Sequence, residues 1–109
     1  MKAKNNFTES SGNVFADLGI KEPEEMMAKA RVAFHISQII THRHISQKEA
    51  AGLLGLTQPK VSNILAGRLG GFSLEKLLTL MMRLDRDVEI VIKKKPRTRE
   101  QAHMSVVYA

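Results

Sequence analysis

Apolar positions recur at helical spacing through most of the chain and switch to alternation near its end. Met26, Ala30, Ala33, Ile36 and Ile40 fall three or four residues apart, the stripe of an amphipathic helix. Pro23 opens that helix near its first turn, where a missing N–H costs nothing. Glu24 and Glu25 suit its positive end, and the stripe predicts a helix from Pro23 to about Thr41. Ser46-Gln47-Lys48-Glu49 is a capping box, with Ser at the cap and Glu three residues on. It predicts a second helix that stops at Gly55. Thr57 caps a third, running to about Ala66, and Gly67, Gly70 and Gly71 make the loop that follows. Ser73 caps a fourth, with Leu74, Leu77, Leu78, Met81 and Leu84 on one stripe. Asp85 to Asp87 turns the chain. Val88, Ile90 and Ile92 then alternate with Glu89, Val91 and Lys93, which predicts a strand closed by Pro96. One strand cannot stand alone, because its N–H and C=O rows need partners. The same strand of a second copy is the favoured partner, ahead of an N-terminal segment or another protein.

The ends of the chain differ from this middle. Residues 1–12 are polar and predict a disordered tail. Val14, Phe15, Leu18 and Ile20 form a short apolar patch within Asn13–Ile20, able to dock on the domain or on a partner. Residues 95–109 form a basic tail, which suits either DNA backbone contact or gatekeeping charge at a strand end. The scheme is therefore a tail over 1–12, one domain over 13–94 and a second tail over 95–109. With 109 residues, 43% hydrophobic and 26% charged, the composition is that of a single soluble globular domain. The chain has no cysteine, so disulfides, thiolate metal sites and cysteine nucleophiles are excluded. No apolar run reaches the length of a membrane span. The first residues lead into no signal-peptide core, and a cytoplasmic location is expected.

Charge points to a partner. Lys and Arg total 17 against 11 Asp and Glu, a net +6, and a basic small domain suits a polyanion. The segment QKEAAGLLGLTQPKVSNILA at 47–66 gives that charge a purpose. Counting Gln47 as the first position, Ala51 is fifth, Gly55 ninth, Val61 fifteenth and Ile64 eighteenth. Ala51 is small where the third helix crosses the second. Gly55 sits where the chain must take φ > 0. Ala50, Leu54, Leu56, Val61 and Ile64 face inward. This is the spacing of a helix-turn-helix that lays a recognition helix in the major groove. A plain helical hairpin is the rival; four matches at fixed positions together with basic charge favour DNA.

Residues 46–84 resemble the xenobiotic-response-element (XRE), Cro-like repressor fold. Residues 13–94 resemble, more narrowly, its HigA-type antitoxin branch, on TQPKVSNILAG, GFSLEKLLTL and RDVEIVIKK. The fold class implied is mainly α, a Cro/lambda-repressor-like helix-turn-helix bundle with one C-terminal β-strand. One position departs: Asp85 stands where the pattern carries Gly, and Asp tolerates a left-handed turn. The resemblance implies autorepression of a toxin–antitoxin operon. It also implies neutralisation of a RelE-like ribonuclease toxin, the alternative main role. The expected partners are double-stranded DNA carrying an inverted-repeat operator, a second copy of the chain and such a toxin.

The recognition helix starts at Gln58, whose amide suits adenine N6 and N7. Lys60 reaches a guanine or a phosphate, and Pro59 offers an apolar edge to a thymine methyl. Ser62 and Asn63 lie on the outer face, with Asn63 a second adenine reader. Gln47 opens the second helix, where N–H groups face a phosphate. Lys48 and Arg68 are phosphate candidates, as is Arg43. His35, His42 and His44 lack a cysteine or placed acid to complete four ligands, so no metal and no cofactor is expected. No activated nucleophile, phosphate-cradling loop or paired acid suggests an enzyme. The five aromatics, Phe7, Phe15, Phe34, Phe72 and Tyr108, give no stacking platform for RNA.

Overall fold

The structure is a computed structural model and describes residues 22–109. The N-terminal tail and the Asn13–Ile20 patch lie outside the described residues. Four helices are present among those described: α1 (Pro23–His42), α2 (Gln47–Leu54), α3 (Gln58–Leu65) and α4 (Leu74–Arg83). All four match the helices read from the pattern of apolar and capping residues. The described residues fall into two compact units, one of 29–93 with 108–109, the other of 22–28 with 94–107.

The capping chemistry is realised atom by atom. Ser46 Oγ accepts from the Glu49 amide at 3.0 Å, and Glu49 Oε1 accepts from the Ser46 amide at 2.8 Å. This reciprocal pair satisfies two donors that the start of α2 leaves free. Thr57 Oγ1 accepts from the Lys60 amide at the start of α3, and Ser73 Oγ from the Lys76 amide at the start of α4. Each helix is equally definite at its other end, where a left-handed residue stops it: His44 (φ 55), Gly55 (φ 70), Gly67 (φ 77) and Asp85 (φ 63). After α3, the Gly67 amide donates to Ile64 O at 3.1 Å and the Arg68 amide to Asn63 O at 2.8 Å. After α4, the Asp85 amide donates to Met82 O and the Arg86 amide to Met81 O, both at 3.1 Å. These paired bonds are the Schellman arrangement. At α4 it is built on Asp85, as expected of an Asp standing in for Gly.

The core of the 29–93 unit is apolar. Ile36, Leu54, Ile64, Leu77, Leu80, Leu84, Val32 and Val61 are its largest fully buried side chains. Ala50 and Ala51 are buried in α2 and α2 packs on both α3 and α4, which is the close crossing the small residues allow. Leu56, predicted to face inward, is half-buried. Burial on α4 centres on Leu77, Leu80, Met81 and Leu84, while Leu74 and Leu78 are half-buried at its margin.

One expectation needs correction. The predicted strand over Val88–Ile92 does not form: the described residues contain no strand, and 86–96 have no regular structure. The reason is the one that made a lone strand doubtful, since none of the described residues pairs with it. Ile90, Val91 and Ile92 are 75%, 71% and 93% exposed. The C-terminal tail makes defined contacts. Within the 22–28 and 94–107 unit, the Met104 amide donates to Glu24 Oε1 at 2.8 Å. A turn closes from the Arg99 amide to Pro96 O at 3.3 Å, and Lys95 Nζ donates to Pro96 O and Arg99 O.

Two glycines of the same short helix separate backbone strain from helix propensity. A Cβ at Gly52 would meet nothing within 4 Å, whereas Gly55 is left-handed with the Arg83 guanidinium 3.4 Å from its would-be Cβ. Gly55→Ala is expected to cost about 1–2 kcal/mol, and Gly52→Ala to stabilise by about 0.5–1 kcal/mol. Urea unfolding curves of the two variants check both signs.

Candidate nucleic-acid interface

Helices α2 and α3 with the turn between them position the candidate residues. Thr57 has extended backbone at the α3 cap, and Pro59 follows in the first turn. That geometry starts α3 with Gln58, Pro59 and Lys60 all exposed. Val61 and Ile64 are 0% and 2% exposed and pin the opposite side of the helix to the core. At 3.6 residues per turn, Pro59, Ser62 and Asn63 then occupy the middle of the outward face. Gln58 and Lys60 stand on its two margins. Gln47 and Lys48 are exposed in the first turn of α2. The candidates on α2 and α3 therefore share the solvent side of the two-helix motif rather than its core.

Arg68 and Asn63 are joined in a way that spacing did not reveal. The left-handed Gly67 folds the chain back, so that Arg68 N bonds Asn63 O. The side chains then meet as well, with Arg68 Nε donating to Asn63 Oδ1 at 3.0 Å. Asn63 is left with its amide N–H groups as free donors. Arg68 keeps its terminal N–H groups outward. The pair was legible only through its glycine, because a five-residue separation brings side chains together only when a helix has just ended between them.

Cations outnumber acids on this surface. Glu49 is the single acid between Gln47 and Phe72, and its carboxylate is engaged at the α2 cap. Lys48, Lys60 and Arg68 are exposed. Arg83 adds a fourth cation, its guanidinium lying over Gly55 at the end of α2, where a positive charge complements the helix dipole. Nothing in the α4 stripe marked Arg83 beforehand.

Arg43 departs from its predicted place as a phosphate candidate. Its Nη2 donates to Leu84 O at 3.0 Å and lies 3.9 Å from Asp85 Oδ2. Arg86 Nη1 donates to the same carbonyl at 3.1 Å. Arg86 Nε donates to the Tyr108 hydroxyl at 2.8 Å, and the Tyr108 ring stacks on His35 with centroids 4.3 Å apart. Arg43, Arg86, Tyr108 and His35 line a shallow pocket of about 220 Å³ with Gln38, Ile39 and His42. No group of three or more metal-ligating side chains occurs among the described residues. No described helix is long and apolar enough to cross a membrane.

Comparison with known proteins matches the geometry. A family model described as a helix-turn-helix domain matches residues 14–93. A solved structure named as an XRE family transcriptional regulator has 50% sequence identity and a TM-score of 0.76, covering 79% of this chain and 97% of its own. No curated protein matches the chain.

The Arg43 contact separates stability from binding. Arg43→Ala is expected to cost about 1 kcal/mol of folding stability, because Arg86 still holds Leu84 O. DNA affinity should change by less than about twofold, since the guanidinium is engaged by Leu84 O. Thermal melts paired with DNA titrations read the two effects separately.

Proposed function

The chain belongs to the XRE family of helix-turn-helix transcriptional regulators, and from that premise we propose that this DNA-binding regulator is a sequence-specific repressor acting as a homodimer on an inverted-repeat operator. The observation that carries the reading is the outward α3 face, apolar on its inner side and flanked by Lys48, Lys60 and Arg68, with Glu49 the one acid from 47 to 72 and held at the α2 cap. Cations of this kind replace counterions on phosphates and supply affinity without regard to sequence. Amides at the start of α3 supply the discrimination.

The roles divide by chemistry. Gln58 reads adenine through N6 and N7. Asn63, its oxygen engaged by Arg68, offers a donor that suits guanine N7 or thymine O4. Pro59 and Ser62 sit between them, against a thymine methyl or a base edge. Lys60 reaches a guanine or a phosphate. Gln47, Lys48 and Arg68 hold the backbone. Two copies would read half-sites about 34 Å apart. The likeness of TQPKVSNILAG, GFSLEKLLTL and RDVEIVIKK to the HigA-type branch supports autoregulation of a toxin–antitoxin operon. A RelE-like ribonuclease is then the second partner, to be sought by co-purification from the native operon.

The deciding test is binding to the chain's own promoter against random DNA across a salt series. A preference of about 10³ or more with a steep salt slope is expected; equal and weak binding to both overturns the reading. Gln58→Ala should cost about 1–3 kcal/mol and relax one base position in a binding-site selection. Arg68→Ala should lower the salt slope by about 1 and, by freeing Asn63 Oδ1, shift the base preference at the Asn63 position only, which the same selection reads.

A further inference from the structure

Residues 87–95 read Asp-Val-Glu-Ile-Val-Ile-Lys-Lys-Lys, and this run is unpaired in the single chain. Among the described residues, no backbone amide from 87 to 98 donates to another backbone group. None of these residues has left-handed φ. Ile90, Val91 and Ile92 are left in water. A free edge of this kind pairs readily with another strand, and the sequence says which strand fits.

The run is complementary to itself when reversed. Paired antiparallel about Val91, it sets Glu89 opposite Lys93 of a second copy, and Lys93 opposite that copy's Glu89. Val91 faces Val91, and Ile90 faces Ile92. Asp87 falls opposite Lys95, although Lys95 is already engaged by Pro96 O and Arg99 O. Alternation puts Asp87, Glu89, Val91, Lys93 and Lys95 on one face. Val88, Ile90 and Ile92 of both copies form the other, with Lys94 at its edge opposite Val88 of the second copy. In a parallel pairing in register the acids would face acids and the lysines lysines, which is destabilising.

We propose that residues 88–93 form a strand only on pairing with the same residues of a second copy, in an antiparallel ribbon centred on Val91 that is the dimer interface. The inference rests on the homodimeric reading above and gives it a register. The strand pattern in the sequence and its absence from the single chain are then two views of one segment whose structure requires two copies. A two-stranded ribbon is weak by itself, so a dimer with a dissociation constant on the order of micromolar is expected.

Charge reversal and its rescue test the register. Glu89→Lys or Lys93→Glu places like charges opposite each other twice per dimer and should raise the dimer dissociation constant by about tenfold or more. The double variant E89K/K93E exchanges the charges and should restore it. Both residues lie outside the core, and circular dichroism confirms that the helices persist. The chain has no cysteine, so Val91→Cys alone reports the centre of the ribbon: opposed Cα atoms fall within disulfide reach, and mild oxidation should give a covalent dimer. Leu53→Cys, on exposed α2 surface, is the control. Sedimentation equilibrium supports the proposal if the native chain dimerises, single reversals dissociate it and the double variant recovers. It is overturned by a monomer at 100 µM, by a dimer indifferent to both reversals, or by V91C cross-linking no faster than L53C. A segment that pairs with a toxin instead would show the second of these outcomes and lose toxin capture in E89K. Binding to one isolated half-site is measured alongside. If it survives in every variant, DNA recognition stands whatever becomes of the ribbon.

Discussion

A left-handed residue at the end of each helix is the constraint on which the arrangement depends. An α-helix has no internal reason to stop after two turns. Here α2 and α3 stop because Gly55 and Gly67 turn the backbone where a Cβ would strain it. The turn at Gly55 lets α3 return across Ala51, and the turn at Gly67 brings Arg68 back onto Asn63. The inward face of α3 is fixed by Val61 and Ile64, so its outward face is fixed with it. The surface proposed to meet DNA is therefore set by backbone geometry before any charged side chain is considered.

The end of α4 is held differently. Leu84 is wholly buried, and its carbonyl accepts from both Arg43 and Arg86. Two guanidiniums at a helix C-terminus oppose its partial negative charge and tie α4 to the end of α1. The cations thus fall into two populations. Lys48, Lys60 and Arg68 are exposed on or beside the helix-turn-helix, while Arg43 and Arg86 serve the fold. Net charge alone draws no such line.

Most of this was legible in the sequence, for reasons that are local. Ser46, Glu49, Thr57 and Ser73 act on amides within three residues, so capping could be read directly. Gly55 and Asp85 announced their turns because few residue types tolerate them. His44 carries no such mark, and its left-handed φ went unseen. The contacts that escaped are those joining distant positions: Arg43 with Leu84, Arg86 with Tyr108, Arg83 with Gly55. Periodicity cannot report a side chain's choice among remote acceptors. The strand over Val88–Ile92 is a different case. Its alternation is real, but a β-ladder is a property of two segments, and the described residues supply one.

Tyr108 carries a consequence of its own. It is the only tyrosine, and the chain has no tryptophan. Its ring lies flat on the imidazole of His35, and its hydroxyl accepts from Arg86. The ultraviolet emission of this sequence beyond that of phenylalanine therefore originates at a single ring, clasped between His35 and Arg86. Lifting that ring from His35 changes its surroundings completely, and the optical signal of the whole molecule changes with it. The protein carries a built-in, label-free reporter of whether its C-terminal end is seated.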